Sequence, residues 1–184
     1  MQIAAAMNMR PSLVPPPEFN ATGAADAAER APQAMAAAAA DLRSKGQIKQ
    51  AAAMLRMLLM TRQVQHGDRH PKSLYAMGNL GSILREMGDL DEARKLVEEQ
   101  ESLSRNLLGK YHPDTLGATA NLVSILQEAG KFDEAEPLAT SLLASSREVL
   151  GRYHEETLIA QSALAQVYLA QVYACTNAYT RTCA

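Results

Sequence analysis

At 184 residues, with 47% hydrophobic and 21% charged residues, the chain has a globular makeup and is long enough to bury one ordinary core. Its 18 basic against 20 acidic residues leave a formal net charge of −2. That balance excludes the basic footprint of nucleic-acid binding and gives no support to a basic helix lying on a membrane. Aromatic residues make up only 4%, Trp is absent, and the good helix formers Ala, Leu and Met abound where β-branched residues are sparse. The expected class is all-α.

Residues 1–24, with Pro15-Pro16-Pro17 and little periodicity, are expected to be a disordered Pro/Ala-rich leader. The apolar run Ile3–Met7 has no basic region ahead of it and is too short for a signal-peptide core or a membrane span; a weak organellar transit peptide is the alternative. No later stretch reaches the ~18 continuous apolar residues of a transmembrane helix. Residues 25–45 hold one predicted helix. Pro32 interrupts its Ala-rich run, so the helix is expected to start late.

From there the chain repeats itself. Gly67-Asp-Arg-His-Pro71 returns as Gly109-Lys-Tyr-His-Pro113 and as Gly151-Arg-Tyr-His154, 42 residues apart each time. Gly88-Asp-Leu-Asp-Glu-Ala93 and Gly130-Lys-Phe-Asp-Glu-Ala135 keep the same spacing, with a worn copy at Gly46-Gln-Ile-Lys-Gln-Ala51. Such a period means stacked supersecondary units. Each unit reads as two helices. The first, over 71–87 and 113–129, opens at a His-Pro step, with Pro where the first turn needs no donor and Ser73, Asp114 or Thr115 as capping oxygens. Leu74, Leu80, Ile83 and Leu84 fall at helical spacing, as do Leu116, Leu122, Ile125 and Leu126. Gly88 and Gly130 end these helices in the left-handed conformation. The second helices, over 90–108 and 132–150, start with acidic pairs, Asp91-Glu92 and Asp133-Glu134, that complement the helix dipole. Pro137, a few residues in, is expected to cost little. Neither helix buries its apolar stripe alone, so the hairpins must stack into a solenoid.

At the end of the chain, Glu155 replaces Pro after His154, Val172 stands where Gly is due, and Leu-Ala-Gln-Val-Tyr is written twice, at 164–168 and 169–173. This predicts a lone first helix, then a flexible tail over 176–184, with the repeat domain spanning 25–175. Cys175 and Cys183 lie in the last ten residues, outside every patterned segment, which argues for a reducing compartment rather than a disulfide framework.

The Asn-Leu pair followed by Gly-x-Phe/Leu-Asp-Glu-Ala is similar to the tetratricopeptide repeat. The 42-residue length and Leu108-Gly-Lys-Tyr-His-Pro-Asp-Thr115 resemble the longer variety found in kinesin light chains and nephrocystin-3-like proteins. The resemblance implies a right-handed solenoid of antiparallel helix pairs: about three hairpins plus a terminal helix. It also implies a cytoplasmic adaptor or scaffold whose first helices line a concave groove for an extended peptide. On the family pattern the groove residues are Tyr75, Asn79, Ser82 and Arg85, then Asn121, Ser124 and Gln127, with Gly117 in place of the Tyr. An Asn amide donates to and accepts from a peptide main chain, and Arg85 could pair with an acidic group on the partner. Two such clamps suit micromolar affinity, about −8 kcal/mol.

Chemistry finds little footing. His70, His112 and His154 recur a repeat apart, too far to share a metal, and read as turn residues bonded to backbone; His66 and Asp68 do not complete a site. The in-register acidic pairs suit helix starts better than acid–base catalysis. Gly109-Lys110 lacks the rest of a phosphate loop, and no Gly-x-Ser-x-Gly elbow occurs. Met54, Met57 and Met60 are expected in the core rather than on a binding surface. No enzyme, cofactor or metal is expected. The alternative to an adaptor is a piece of a larger array or multidomain protein, NTPase- or motor-associated, that self-associates through its last helix.

Overall fold

The computed structural model describes the backbone of residues 21–182 and the side chains of residues 30–173. Among these residues the chain forms seven helices and no strand: α1 (Ala21–Ser44), α2 (Ile48–His66), α3 (Pro71–Glu86), α4 (Leu90–Leu108), α5 (Pro113–Glu128), α6 (Phe132–Leu150) and α7 (Glu155–Thr182). Each helix packs on the next, giving the hairpins α1–α2, α3–α4 and α5–α6 with α7 stacked on the last. Beyond these neighbours, α3 touches α5 and α5 touches α7, while α2, α4 and α6 make no such second-neighbour packing among the described residues. Helices α3, α5 and α7 therefore form the inner layer, joined by α1 through the Arg43–Glu86 pair, and the even-numbered helices form the outer one.

The connections explain the glycine markers. Gly46, Gly88 and Gly130 take φ of +73°, +81° and +71° in the turn that follows the first helix of each hairpin. At Gly88 the Asp89 N–H donates to Leu84 O at 2.9 Å and the Gly88 N–H to Arg85 O at 2.9 Å, the paired bonds that reverse a chain at a left-handed residue. Gly67, Gly109 and Gly151 close the second helices with φ near +86° and ψ near 164°, a region only glycine enters at low cost.

The capping oxygens expected at Ser73, Asp114 and Thr115 are not the caps. Imidazoles cap instead: Nδ1 of His70, His112 and His154 accepts the N–H of Lys72, Asp114 and Glu156 at 3.2, 3.2 and 3.3 Å. A His in extended backbone just before the helix points its ring nitrogen at the second N–H, which is one of the donors the first turn leaves without an intrahelical partner. The expected late start of the first helix is also not observed. Helix α1 runs unbroken through Pro32, whose side chain is buried. Helix α6 likewise continues through Pro137, near its start.

The apolar core follows the layers in two clusters. Leu55, Leu74, Met77, Leu80, Ile83, Leu84, Val97, Leu122, Ile125 and Leu126 belong to one buried cluster that reaches from Ala39 of α1 to Val167 of α7. Leu116, Leu142, Leu143 and Ala160 form a second cluster where α5, α6 and α7 meet. Burying each large aliphatic side chain contributes about 1.5–3 kcal/mol, more than the ~1 kcal/mol of a cap and well above a surface ion pair. Met57 and Met60, expected inside, are 55% and 66% exposed on α2, although Met54 does pack against the core. Helix α7 extends to Thr182, through most of the segment expected as a tail. Residues 1–20 of the expected leader, and the side chains of Cys175 and Cys183, lie outside what is described.

Rows of charge follow the period at the surface. On the inner helices Arg43 pairs with Glu86, and Arg85 with Glu128 at 2.7 Å. On the outer helices Arg56 pairs with Glu92 at 2.6 Å and Arg94 with Glu134 at 2.7 Å. Glu92 and Glu134 are the acidic residues of the repeated Asp-Glu-Ala, so each serves its own helix start and clamps the preceding hairpin. Arg94 is held charged above its ordinary pKa, first by its hydrogen bond to Glu98 and further by Glu134.

Candidate peptide groove

The inner layer carries two cavities in series. One of about 300 Å³ lies between α1 and α3, lined by Ala36, Ala39, Ala40, Arg43, Tyr75, Asn79 and Ile83, with Leu55 beneath. The other, about 210 Å³, lies between α3 and α5, where Pro71, Leu74, Gly78 and Ser82 face Pro113, Asp114, Gly117, Ala118 and Asn121. Tyr75 and Asn79 border both, so they form the divide between them. Tyr75 is 69% exposed and stands up from the inner face, whereas its counterpart Gly117 leaves the α5 side open.

The seven sequence-predicted groove residues separate into two groups. Tyr75, Asn79, Ser82 and Asn121 come together around one cavity. Asn79 and Asn121 are half-buried, and among the described residues neither carboxamide has a hydrogen-bond partner. The other three are occupied within the protein. Arg85 binds Glu128 of the next inner helix, so an acidic partner would have to displace that carboxylate. Ser124 Oγ donates back to Ala120 O at 3.0 Å, and Gln127 Nε2 donates to Ala163 O at 2.8 Å, tying α5 to α7. None of these three lines either cavity. The engagement of Arg85 and Gln127 follows from their place at the end of the inner helices, where neighbouring hairpins approach, which sequence spacing alone does not show; Ser124 instead bonds back within its own helix.

One wall residue was missed by reading first helices alone. Gln100 comes from the outer helix α4, reaches the α3–α5 cavity beside Gly78, and is 7% exposed. The repeat phase holds the signal: Gln100 stands where the other hairpins have Leu58 and Leu142.

Other chemistry is thinly represented. No cluster of three or more His, Cys, Asp or Glu able to hold a metal occurs among the described residues, and no described helix is long and apolar enough to cross a membrane. The rings of His66 and His70 stack with centroids 4.4 Å apart. Lys110 and Arg152 lie over the adjacent Tyr111 and Tyr153 rings. Tyr111 also raises the Lys110 pKa, by hydrogen bonding first and then by charge.

Stacked antiparallel helix pairs with a 42-residue period define a helical-repeat solenoid. The tetratricopeptide repeat family profile matches residues 30–99 and 114–171, and the chain belongs to that family. Crystal structures of the nearly identical TPR-like repeats of a Podosopora anserina protein, described as a kinesin light chain, share the fold. One superposes with a TM-score of 0.71 at 24% identity, over 76% of this chain and 66% of that one. A variant of the same repeats carrying one substitution gives 0.72 at 23% identity, with the same coverage. This chain thus spans just under two thirds of the length of those structures. No curated protein sequence matches.

Proposed function

We propose that this protein is an adaptor or scaffold module that holds an extended segment of a partner protein along its inner face. The observation that carries the reading is the pair Asn79 and Asn121: equivalent positions on neighbouring inner helices, one shared cavity, and carboxamides without protein partners among the described residues. A peptide main chain offers a donor and an acceptor at each residue, and an Asn amide answers both without demanding one sequence. Tyr75 adds an amphipathic surface between the two cavities. Among the described residues these cavities are lined by one Arg and no Lys, which together with the net charge of −2 favours a protein partner over nucleic acid. A cytoplasmic setting fits the kinesin light chain likeness.

The test is to screen the chain against immobilised peptides and repeat it with Asn121→Ala. Loss of about one hydrogen bond predicts binding weaker by roughly three- to tenfold, with helicity and melting temperature unchanged. Equal binding by the variant would remove Asn121 from the groove.

A second reading rests on α7, which exposes Leu169, Val172 and Tyr173 at 58%, 59% and 67%. This apolar face would let chains associate, or receive a further hairpin. Light scattering across a concentration series separates the two: a constant monomer mass rejects self-association, and growth in mass with concentration supports it.

A further inference from the structure

Gln100 occupies a core position that Leu58 and Leu142 fill elsewhere, each 4% exposed. Its own exposure is 7%, and Oε1 has no hydrogen-bond partner. A buried amide oxygen left unanswered carries its full desolvation penalty, where a leucine would carry none. The space that admits it is also particular to this hairpin. A Cβ added to Gly78 would lie 2.8 Å from Gln100 Nε2 and 3.2 Å from Oε1, and the other hairpins place Ala36 and Ala120 at that position. Gly78 and Gln100 together replace an apolar wall with a carboxamide, on the cavity that Asn79 and Asn121 also border.

Resting on the groove reading above, we infer that Gln100 is a specificity-determining residue whose amide pairs with the side-chain carboxamide of an Asn or Gln in the bound segment. The amide torsion is soft and two-fold, so either its oxygen or its nitrogen can turn toward the cavity. Another carboxamide presents a donor and an acceptor side by side in one plane and so answers both groups with parallel hydrogen bonds. A hydroxyl can donate and accept but from a single atom, and the main chain of the segment is taken by Asn79 and Asn121 in the groove reading. A ligand carboxylate would leave the oxygen unanswered and face Asp114 on the opposite wall. A ligand cation would be drawn by Asp114 and could donate to the oxygen, but with no acceptor it would leave the amide N–H donors unanswered, and an apolar side chain would seal the oxygen in unpaired.

Panning a phage-displayed library of random seven-residue peptides against the full chain tests this. Wild type should enrich a motif with Asn or Gln fixed at one position. Gln100→Leu, which copies Leu142, should still enrich peptides but with an apolar residue there, and should bind the wild-type peptide roughly tenfold more weakly. Gln100→Glu should turn that position to Lys or Arg, and Gly78→Ala, by pushing the amide aside, should blur the preference without altering Gln100. Circular dichroism identifies any variant that fails to fold, and the remaining two carry the test. One carboxamide motif common to wild type and the folded Gln100 variants, lost only in Asn121→Ala, overturns this subsite and leaves the groove standing. No enrichment by wild type over an unrelated control protein overturns both.

Discussion

Hairpins α3–α4 and α5–α6 share a 42-residue period, the same markers and the same glycine turns, yet they close the space between their helices in opposite ways. In α3–α4 the inner helix gives up its side chain: a Cβ on Gly81 would stand 2.3 Å from Val97 Cγ2, and Val97 is fully buried. In α5–α6 the equivalent residues are Val123 and Ala139, both also fully buried, so the bulk has moved to the inner helix. In α1–α2 the pair is Ala39 and Leu55. One small and one larger partner fill each interface, and which helix supplies the bulk is free to change. Native packing density leaves no room for two large residues and does not tolerate two small ones without a void.

The largest expected effect breaks that exchange. Gly81→Val alone, copying Val123, forces two branched side chains into one site and should cost about 1–3 kcal/mol, at the upper end because Val97 has no exposed path to move along. Val97→Ala alone, copying Ala139, should open a void and cost about 1–3 kcal/mol. The double variant rebuilds the α5–α6 pairing inside α3–α4, so most of both losses should return. Denaturant melts of all four proteins give the coupling energy; simple additivity would mean that these positions do not share a space.

A middle-sized effect sharpens what the hairpins have in common. His70 and His112 cap α3 and α5 through Nδ1 at the same 3.2 Å distance. His112→Ala should remove about 1 kcal/mol, and His112→Asn, whose side-chain oxygen also suits a helix start, should recover most of it. His70→Ala should lose a similar amount. If either alanine variant melts like wild type, the imidazole at that site is a bystander and the Pro at the first helical position suffices.

Much of this architecture was legible in the residues, because glycine turns, the His-Pro step and leucine spacing are local signals and the period multiplies each of them. The second-helix bounds 90–108 and 132–150 coincide with α4 and α6. Local rules failed where tertiary packing decides. Pro32 reads as a late start, yet α1 runs through it with the ring buried; Met57 and Met60 read as core, yet they face outward on α2. In the groove the inner-helix positions were readable from the family pattern, and four of the seven do gather around one cavity. Arg85, Ser124 and Gln127 were legible as groove candidates but not as occupied, since their partners Glu128, Ala120 and Ala163 become neighbours only through helix winding and stacking. Gln100 was hidden by the assumption that only inner helices reach the groove. Comparing it with Leu58 and Leu142 exposes it without any coordinates.

The smallest effect tests a difference of a single methyl and a single hydrogen bond. Ser73 and Thr115 hold equivalent, fully buried places in the first turns of α3 and α5. Ser73 Oγ donates to Gly67 O at 2.8 Å and so ties the start of α3 to the end of α2. Thr115 Oγ1 is buried without a partner, although Gly109 stands in the same phase. Ser73→Ala should therefore cost about 0.5 kcal/mol, whereas Thr115→Val, of nearly the same shape, should be neutral or slightly stabilising. The two variants should shift the denaturation midpoint by unequal amounts from equivalent sites, with Ser73→Ala the lower. Equal losses would mean that Thr115 makes the Gly109 bond in solution, and that these two turns are alike after all.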